Sequence, residues 1–324
     1  MDDDLEHLPI IKPTAGTALA APEFFQLAEV PAEMVWLANI TSKNTRDAYA
    51  RDVREFMTFW EIKSPEAFRT VTRAHVIKWR DSLQDYGLAP ATIRRKLSAL
   101  SALCDYLCNE NSISHNPVNG VTRPKAKSKA TPALSDKDVR AMLDAPDSDT
   151  LKGLRDRAIL SVGFFHAPRR QEIASLKVGD FYQNKGLMYL RFAAKGEKTL
   201  EIPVNAHTVR CIQEYLATAG HGEDLTGPLF RPVRNNVTGE LRKGLSGKAI
   251  DVDVFKHYAK KTGVIAPSLS PHSMRSTAIT NALEHDVDLA KVQEMAGHAD
   301  ISTTRGYDRR KFKPEDSPSY KISY

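Results

Sequence analysis

The stretch FYQNKGLMYLRFAAKGEKTLEIPV, residues 181–204, differs from the rest of the chain in its pattern of apolar residues. Its apolar positions alternate with polar ones in two short runs: Leu187 and Tyr189, then Leu200, Ile202 and Val204. The runs are broken at Asn184-Lys185-Gly186 and at Lys195-Gly196, residue types that favour tight turns. The stretch therefore predicts a small antiparallel β-sheet.

The segments on either side of this sheet have helical spacing. SDKDVRAMLDA begins at Ser135, a predicted N-cap with Asp138 in the first turn, and LKGLRDRAILSVGFFHAPRRQEIASL continues the pattern. Further helical segments are predicted at around residues 206–219, 246–262, 273–284, 288–296 and 302–308. The second half of the chain is therefore predicted to be mostly helical with a minor sheet.

A separate group of helices is predicted nearer the N-terminus. In TSKNTRDAYARDVREFMTFW, residues 41–60, the apolar positions have helical spacing, and Ser42 or Asn44 is a plausible cap. A second pattern, VTRAHVIKWRDSLQDYG, stops at Gly87, and a third starts at Pro90. The third places five apolar residues on one face: Ile93, Leu97, Leu100, Cys104 and Leu107. Together these patterns predict a small helical domain.

Composition shifts divide the chain into five parts. The prolines and basic residues of NPVNGVTRPKAKSKATPAL, without apolar periodicity, predict an interdomain linker. The predicted parts are a flexible arm at 1–29, a helical domain at 30–122, a basic linker at 123–133, a second domain at 134–310 and a tail at 311–324.

Charge and cysteine content limit the classes of protein to which this chain can belong. The 324 residues include 46 Lys plus Arg and 40 Asp plus Glu, and the acidic opening MDDDLE makes the remainder more basic than the net +6. This balance favours a polyanionic partner. The three cysteines show no CxxC, and no apolar run approaches the roughly 18 to 20 residues of a membrane span. We therefore expect a soluble cytoplasmic protein in a reducing compartment, without membrane association.

Two groups of basic residues are candidate DNA contacts. Arg94, Arg95 and Lys96 fall in the first turns of the third predicted helix, where positive charge opposes the helix dipole. A phosphate partner would remove that penalty, and an ordinary solvated basic face is the alternative. The linker contributes three further candidates: Arg123, Lys125 and Lys127.

Four stretches in order resemble the tyrosine recombinase or phage integrase family, over roughly residues 30–310. In FFHAPRRQEIASLKVGDF, the family pattern assigns its arginine to Arg169, with Arg170 as the alternative and a buried structural Arg169–Glu172 pair as another interpretation. Ala167 and Pro168 stand where the family usually has Gly and Leu. AAKGEK resembles the hairpin turn that carries the family's lysine, which gives Lys195, with Lys198 as a less favoured substitute.

The other two stretches lie nearer the C-terminus. SPHSMRSTAIT resembles a box that gives His272 and Arg275, although Ser276 stands where the family usually has histidine. MAGHADISTTRGYDRR resembles a Gly-His pair followed by the nucleophilic tyrosine, which gives His298 and Tyr307. Taken alone, His298 reads as a core histidine and Tyr307 as an exposed turn tyrosine.

The resemblance implies a fold and an activity. The implied fold is mainly α: a helical, SAM-like core-binding domain, then a mostly helical catalytic domain with a small antiparallel β-sheet. The implied enzyme is a site-specific DNA recombinase that cleaves and rejoins DNA through a 3′-phosphotyrosyl intermediate. Arg169 and Arg275 would stabilise the transition state, and Tyr307 would attack. His272 would accept the proton of Tyr307 or stabilise the oxyanion, and Lys195 would protonate the leaving oxygen. His298 would orient the tyrosine or bind the phosphate.

The implied partner is double-stranded DNA with inverted-repeat-like sites, bound by a homotetramer, with an accessory protein also possible. The sequence holds no HExxH, EF-hand or Walker motif, and we expect neither a metal nor another cofactor. Integration, excision and dimer resolution all remain open, and so does nucleoid association through bound DNA. Two other functions remain as alternatives: a type IB topoisomerase and a catalytically silent, sequence-specific DNA-binding accessory protein.

Overall fold

The computed structural model describes residues 32–125, 131–193, 199–234, 241–266 and 269–310, so the predicted arm and tail lie outside it. The chain divides into two units between residues 128 and 129, and each unit has its own apolar core. None of the helices in these ranges is long and apolar enough to cross a membrane.

The first unit is helical throughout its described secondary structure. Its helices are α1 (Ala32–Asn39), α2 (Lys43–Phe59), α3 (Pro65–Arg69), α4 (Arg73–Asp85) and α5 (Pro90–Asn109). Ser42 is the cap of α2, because its side chain accepts a hydrogen bond from the backbone N–H of Thr45. Pro90 occupies the first turn of α5, where its missing N–H costs nothing. The three predicted helices are confirmed, and α1 and α3 are additional.

The core of this unit is formed by one face each of α2, α4 and α5. The five apolar residues predicted to share a face of α5 are all buried. Phe56 of α2 meets Trp79 of α4 edge to face, with ring centroids 5.0 Å apart, a favourable arrangement for aromatic pairs. Helical periodicity in the sequence therefore locates this core correctly.

One predicted DNA contact is used inside the first unit instead. Lys96 is only 6% exposed, and its ammonium lies 3.3 Å from Oδ1 of the buried Asp52 and also pairs with Glu55. Arg95 pairs with the other oxygen of Asp52. Lys96 is therefore neither a phosphate ligand nor part of a solvated basic face. The prediction that Lys96 contacts DNA is therefore withdrawn, because its charge compensates buried and half-buried carboxylates within the unit.

The second unit is mostly helical with one sheet. Its elements are α6 (Asp136–Asp144), α7 (Leu151–His166), α8 (Arg170–Ser175), β1 (Phe181–Asn184), β2 (Leu187–Ala193), β3 (Thr199–Pro203), α9 (Ala206–Ala219), α10 (Gly247–Ala249), α11 (His257–Lys261), α12 (Pro271–Glu284), α13 (Leu289–Ala296) and α14 (Ile301–Arg305). A π-helical segment, Ile250–Lys256, connects α10 to α11, so the predicted helix at 246–262 is present with an irregular middle. Ser135 caps α6 as predicted, accepting from the N–H of Asp138.

The sheet has the order β1-β2-β3 and is antiparallel throughout, as the alternating runs predict. Lys185 and Gly186 both have positive φ, 47° and 82°, which is the backbone of a two-residue hairpin turn. In β2 the buried side chains are Leu190 and Phe192, whereas Leu187 is 58% exposed. The core face of β2 is therefore the one opposite to Leu187.

A close approach between α7 and α12 organises the second unit. Ile159, Leu160 and Val162 of α7 are fully buried. At Gly163 a Cβ atom would lie 2.6 Å from the sulfur of Met274, so a larger residue there would require the Met274 side chain to move. Arg275, the next residue of α12, is thereby placed beside the C-terminal end of α7.

The buried pair in the first unit gives a test of stability. Asp52→Asn should lower the free energy of unfolding of this unit by about 3 kcal/mol, because it removes the buried carboxylate that Arg95 and Lys96 share and leaves the half-exposed Glu55 to compensate the buried Lys96. All three tryptophans of the chain, Trp36, Trp60 and Trp79, lie in this unit, so tryptophan fluorescence during urea unfolding reports it selectively.

Asp81→Asn is the matched control, because Asp81 is 47% exposed and pairs with Arg80 at the surface of the same unit. This substitution should lower the free energy of unfolding by no more than about 1 kcal/mol. Equal costs for the two substitutions would contradict a structural role for the buried pair.

Candidate active site

The site begins where α7 ends. Ala167 caps this helix in the left-handed conformation, with φ 52° and ψ 29°, and is fully buried. A Cβ atom in this conformation costs about 1–2 kcal/mol, whereas glycine adopts it freely. This explains why glycine is usual at this position in the family that the sequence resembles. The turn then delivers Arg169 to the start of α8.

Glu172 holds Arg169 at the N-cap of α8. The backbone N–H of Arg169 donates to Oε2 of Glu172 at 2.6 Å, and Nη1 of the guanidinium donates to Oε1 at 2.7 Å. The Arg169 side chain is 49% exposed, while that of Glu172 is mostly buried. The Arg169–Glu172 ion pair considered from the sequence is therefore present, but its arginine is half exposed and not buried. It uses one of the five N–H donors of the guanidinium, so donors remain for an anion.

Arg170 points to a different part of the unit. Its Nη1 lies 3.4 Å from Oδ2 of Asp251, in the π-helical segment, and its Nε lies near Gly247. Arg169, in contrast, is close enough to His272 and Arg275 to influence the pKa of each. The geometry therefore favours Arg169 over Arg170 as the arginine of the site.

Arg275 is the most deeply buried charged group of the site, at 2% exposure. Its Nη1 donates to the carbonyl oxygen of Ala167, and its Nη2 donates to the carbonyl oxygen of Ala296 at 2.6 Å. These carbonyls lie at the C-terminal ends of α7 and α13. Arg275 therefore connects three helices while keeping further N–H donors for a ligand.

His272 and Tyr307 are hydrogen-bond partners. Nε2 of His272 lies 3.1 Å from the hydroxyl oxygen of Tyr307, although the two residues are 35 positions apart. Tyr307 follows the last turn of α14, and its carbonyl accepts a hydrogen bond from the Thr280 hydroxyl at 3.4 Å. Its ring packs against a small apolar cluster that includes Ala167. Tyr307 is thus a partly buried residue aimed at His272, not an exposed turn tyrosine.

His298 lies against the ring of Tyr307. The two rings are stacked, with centroids 6.0 Å apart and an angle of 9° between their planes. Gly297, with φ 61°, ends α13 and turns the chain so that His298 faces the site. Nδ1 of His298 lies 2.8 Å from the hydroxyl of Thr304, and Gln293 donates to the His298 carbonyl at 3.0 Å.

Burial and the nearby arginines together keep the histidines of the site neutral. Burial, followed by Arg275 and Arg169, lowers the pKa of His272 below its ordinary value. Burial and the same arginines, with His272, lower the pKa of His298 to about 4. Burial and Arg169 lower the pKa of Arg275 to about 10, so this guanidinium stays charged at neutral pH. The arrangement offers two cations and two neutral imidazoles to an anionic ligand.

Five of the six predicted catalytic residues are described, and the structure brings them together. Lys195 and its alternative Lys198 lie outside the described residues. Across the described ranges, no group of three or more His, Cys, Asp or Glu side chains is placed to hold a metal ion.

The remaining DNA-contact candidates differ in their surroundings. Arg94 and Lys125 are exposed, and Arg123 donates to the Ser98 hydroxyl at 2.7 Å. Arg95 keeps 43% of its side chain exposed beside Asp52. Lys127 lies outside the described residues.

Sequence reasoning missed the residues that position the site. Thr304 was treated as part of the stretch before Tyr307, although its hydroxyl contacts His298. The spacing offered one clue, because a threonine three residues before the tyrosine falls on the preceding helical turn. The carbonyls of Ala167 and Ala296 gave no sequence signal, since every residue has a carbonyl and only the fold selects these two.

Comparisons with known proteins agree with this geometry. Residues 132–313 match the profile described as the phage integrase family, and residues 32–111 match the phage integrase N-terminal SAM-like domain. The chain belongs to the phage integrase family. The predicted family and fold class are thereby confirmed, and so is the class of enzyme, a tyrosine recombinase.

Named relatives of this phage integrase family member are tyrosine recombinases. Tyrosine recombinase XerD of Pseudomonas putida is 32% identical over 282 residues, covering 85% of this chain and 89% of the relative. Tyrosine recombinase XerC of Pelobacter propionicus is 31% identical over 268 residues, covering 82% and 84%.

Solved structures show the same fold. XerH site-specific recombinase bound to palindromic difH substrate aligns with a TM-score of 0.65 and 19% identity, over 90% of this chain and 81% of that one. A lambda integrase (75–356) dimer bound to a COC′ core site aligns with a TM-score of 0.66 and 16% identity, over 92% and 100%.

The strained alanine at the end of α7 gives a second test. Ala167→Gly should change the free energy of unfolding by less than about 1 kcal/mol, because relief of the left-handed strain offsets the loss of a buried methyl group. Ala167→Val should lower it by at least about 2 kcal/mol, because a β-branched side chain is strained in this conformation and overfills the site.

Unfolding in guanidinium chloride, followed by circular dichroism, measures both changes. Ala193→Val, at an exposed position of β2, is the control. Its free energy of unfolding should lie within about 0.5 kcal/mol of that of the parent. If Ala167→Val lowered the free energy of unfolding no more than Ala193→Val does, the left-handed conformation of Ala167 would be contradicted.

Proposed function

We propose that this chain is a site-specific DNA recombinase in which Tyr307 attacks a phosphodiester and forms a 3′-phosphotyrosyl bond. The observation that carries the proposal is the hydrogen bond between Nε2 of His272 and the hydroxyl of Tyr307, next to the cations Arg275 and Arg169. A nucleophile, a proton acceptor and two guanidinium groups are therefore neighbours in one site.

The two arginines stabilise the negative charge that develops during the reaction. A phosphodiester is anionic, and its pentacoordinate transition state gathers additional charge on the non-bridging oxygens. Fixed guanidinium groups stabilise that charge through paired hydrogen bonds and stay protonated near neutral pH. Glu172 fixes Arg169, and two backbone carbonyls fix Arg275, so both cations are in place before DNA binds.

His272 acts as the proton acceptor. The hydroxyl of tyrosine has a pKa of about 10 in water, so the proton must leave as attack proceeds. The lowered pKa of His272 keeps its ring neutral, with a lone pair available to the Tyr307 hydroxyl. His298 stacks on the tyrosine ring and donates a hydrogen bond to a non-bridging phosphate oxygen.

Lys195 protonates the departing 5′ oxygen as general acid. The phosphotyrosyl bond retains the energy of the broken ester, so a 5′ hydroxyl of another strand can rejoin without ATP. The same residues then act in reverse, with His272 returning its proton to Tyr307.

The binding partner is double-stranded DNA with inverted-repeat-like sites, held by a homotetramer. The exposed basic residues Arg94 and Lys125, together with Arg95, Arg123 and Lys127, provide phosphate contacts. The proposal is supported by the named relatives, which are tyrosine recombinases, and by the structures of a XerH site-specific recombinase and a lambda integrase, both described in complex with DNA. A type IB topoisomerase would instead relax supercoils without strand exchange.

Tyr307→Phe separates catalysis from DNA binding. The variant should lose all covalent attachment to nicked duplexes that trap the cleaved intermediate, because it lacks the nucleophilic oxygen. Its ring still stacks on His298, so DNA affinity in a gel-shift titration should be unchanged. Attachment is measured in EDTA on denaturing gels.

Covalent attachment by the Phe variant would contradict Tyr307 as the nucleophile. If neither protein became attached while both bound the same DNA, the chain would be a catalytically silent accessory protein.

Arg169 and Arg170 are distinguished by matched substitutions. Arg169→Ala should slow single-turnover cleavage by about 10²–10³-fold, as expected when one fixed transition-state donor is removed. Arg170→Ala breaks only the partly exposed contact with Asp251 and should cost about 0–1 kcal/mol of stability.

The cleavage rate of Arg170→Ala should therefore stay close to that of the parent. The reverse ranking of the two variants would assign the catalytic role to Arg170.

A further inference from the structure

A hydroxyl group beneath His298 has no role in the reaction as described above. Thr304 is fully buried, and its Oγ1 lies 2.8 Å from Nδ1 of His298. The same residue accepts the backbone N–H of Tyr307 through its carbonyl, at 3.0 Å. Thr304 therefore contacts both His298 and the nucleophile, from inside the unit.

The direction of the Thr304–His298 hydrogen bond follows from burial. A hydroxyl has one proton to donate, and a buried donor without an acceptor is costly. In the part of the chain that the structure describes, Nδ1 of His298 is the hydrogen-bond partner of the Thr304 hydroxyl. If Nδ1 carried a proton and donated it to Oγ1, the hydroxyl proton would be left without that acceptor. Thr304 is therefore the donor, and Nδ1 is unprotonated.

The direction of this bond fixes the tautomer of the ring. Since His298 is neutral near pH 7, it carries a single N–H, and an unprotonated Nδ1 places that proton on Nε2. An Nε2–H can donate to an anionic phosphate oxygen, whereas the opposite tautomer would present a lone pair and repel it.

We propose that Thr304 is a positioning residue that holds His298 in the Nε2–H tautomer, so that its outward nitrogen is a hydrogen-bond donor to the phosphodiester. This inference rests on the proposed function for its catalytic consequence, but the tautomer itself is a property of the DNA-free protein. Thr304 acts only through His298 and does not contact the substrate.

The tautomer can be measured directly. Nitrogen-15 NMR of the histidine side chains distinguishes Nδ1–H from Nε2–H rings, and the His298 signals are assigned by their loss in His298→Gln. The parent protein should show His298 as Nε2–H. Thr304→Val, which keeps the shape but removes the hydroxyl, should show a mixture of tautomers, and Thr304→Ser should restore the single form. An Nδ1–H ring in the parent protein would overturn the proposal.

Cleavage kinetics test the consequence. Thr304→Val should slow single-turnover cleavage by about 10- to 100-fold, as is typical when a group that orients a functional histidine is removed. Thr304→Ser should cleave close to the parent rate. Thr303→Val, on the exposed side of α14, is the matched control and should have little effect.

A double mutant separates positioning from general structural damage. In the His298→Gln background, Thr304→Val should cause no further loss of rate, because the threonine acts through the ring that has been removed. Additive losses would mean that Thr304 only supports the local fold. If the parent protein failed to cleave DNA, the proposed function would fail while the NMR result still decided the tautomer.

Discussion

The buried guanidinium of Arg275 is the interaction on which the catalytic unit depends. It donates to the carbonyls of Ala167 and Ala296, which belong to the C-terminal ends of α7 and α13. The last carbonyls of a helix have no partner within it, and they carry the negative end of the helix dipole. Two such ends directed at one cation offset part of the cost of burying it. The backbone turns at Ala167 and Gly297 are what bring these ends together.

The same cation determines the state of its neighbours. Burial lowers the pKa of His272 and of His298, and Arg275 and Arg169 lower each pKa further, so both rings are neutral near pH 7. A phosphodiester would bring negative charge between these groups and reverse part of that effect. The basicity of His272 would then rise when the substrate is bound, which is when it must accept the proton of Tyr307. In the proposed reaction the arginines would therefore tune the basicity of the histidines as well as bind the phosphate.

The sequence predicts most of this unit because its chemistry lies in four ordered stretches. Arg169, His272, Arg275, His298 and Tyr307 are all found together, and the helices and the sheet occur where periodicity places them. Periodicity could not show which group each charged side chain pairs with. Lys96 looks like Arg94 in the sequence, but α2 places Asp52 beside only one of them. Thr304 was missed for a similar reason, since its importance depends on a ring six residues away that only the fold brings to 2.8 Å.

The basic residues proposed to meet DNA are of two kinds: those held in place by other groups of the protein and those that are exposed. Arg169 and Arg275 are held by a carboxylate and by carbonyls, so little conformational entropy is lost when they meet a phosphate. Arg94 and Lys125 are exposed, so in the proposed DNA complex they would lose rotamer freedom on binding and would release counterions from DNA. Fixed cations suit a transition state whose geometry is specific, whereas mobile ones suit a backbone that is long and uniform. In the proposed function the two kinds would therefore make different contributions: the first to the rate of cleavage, and the second to the dependence of affinity on salt.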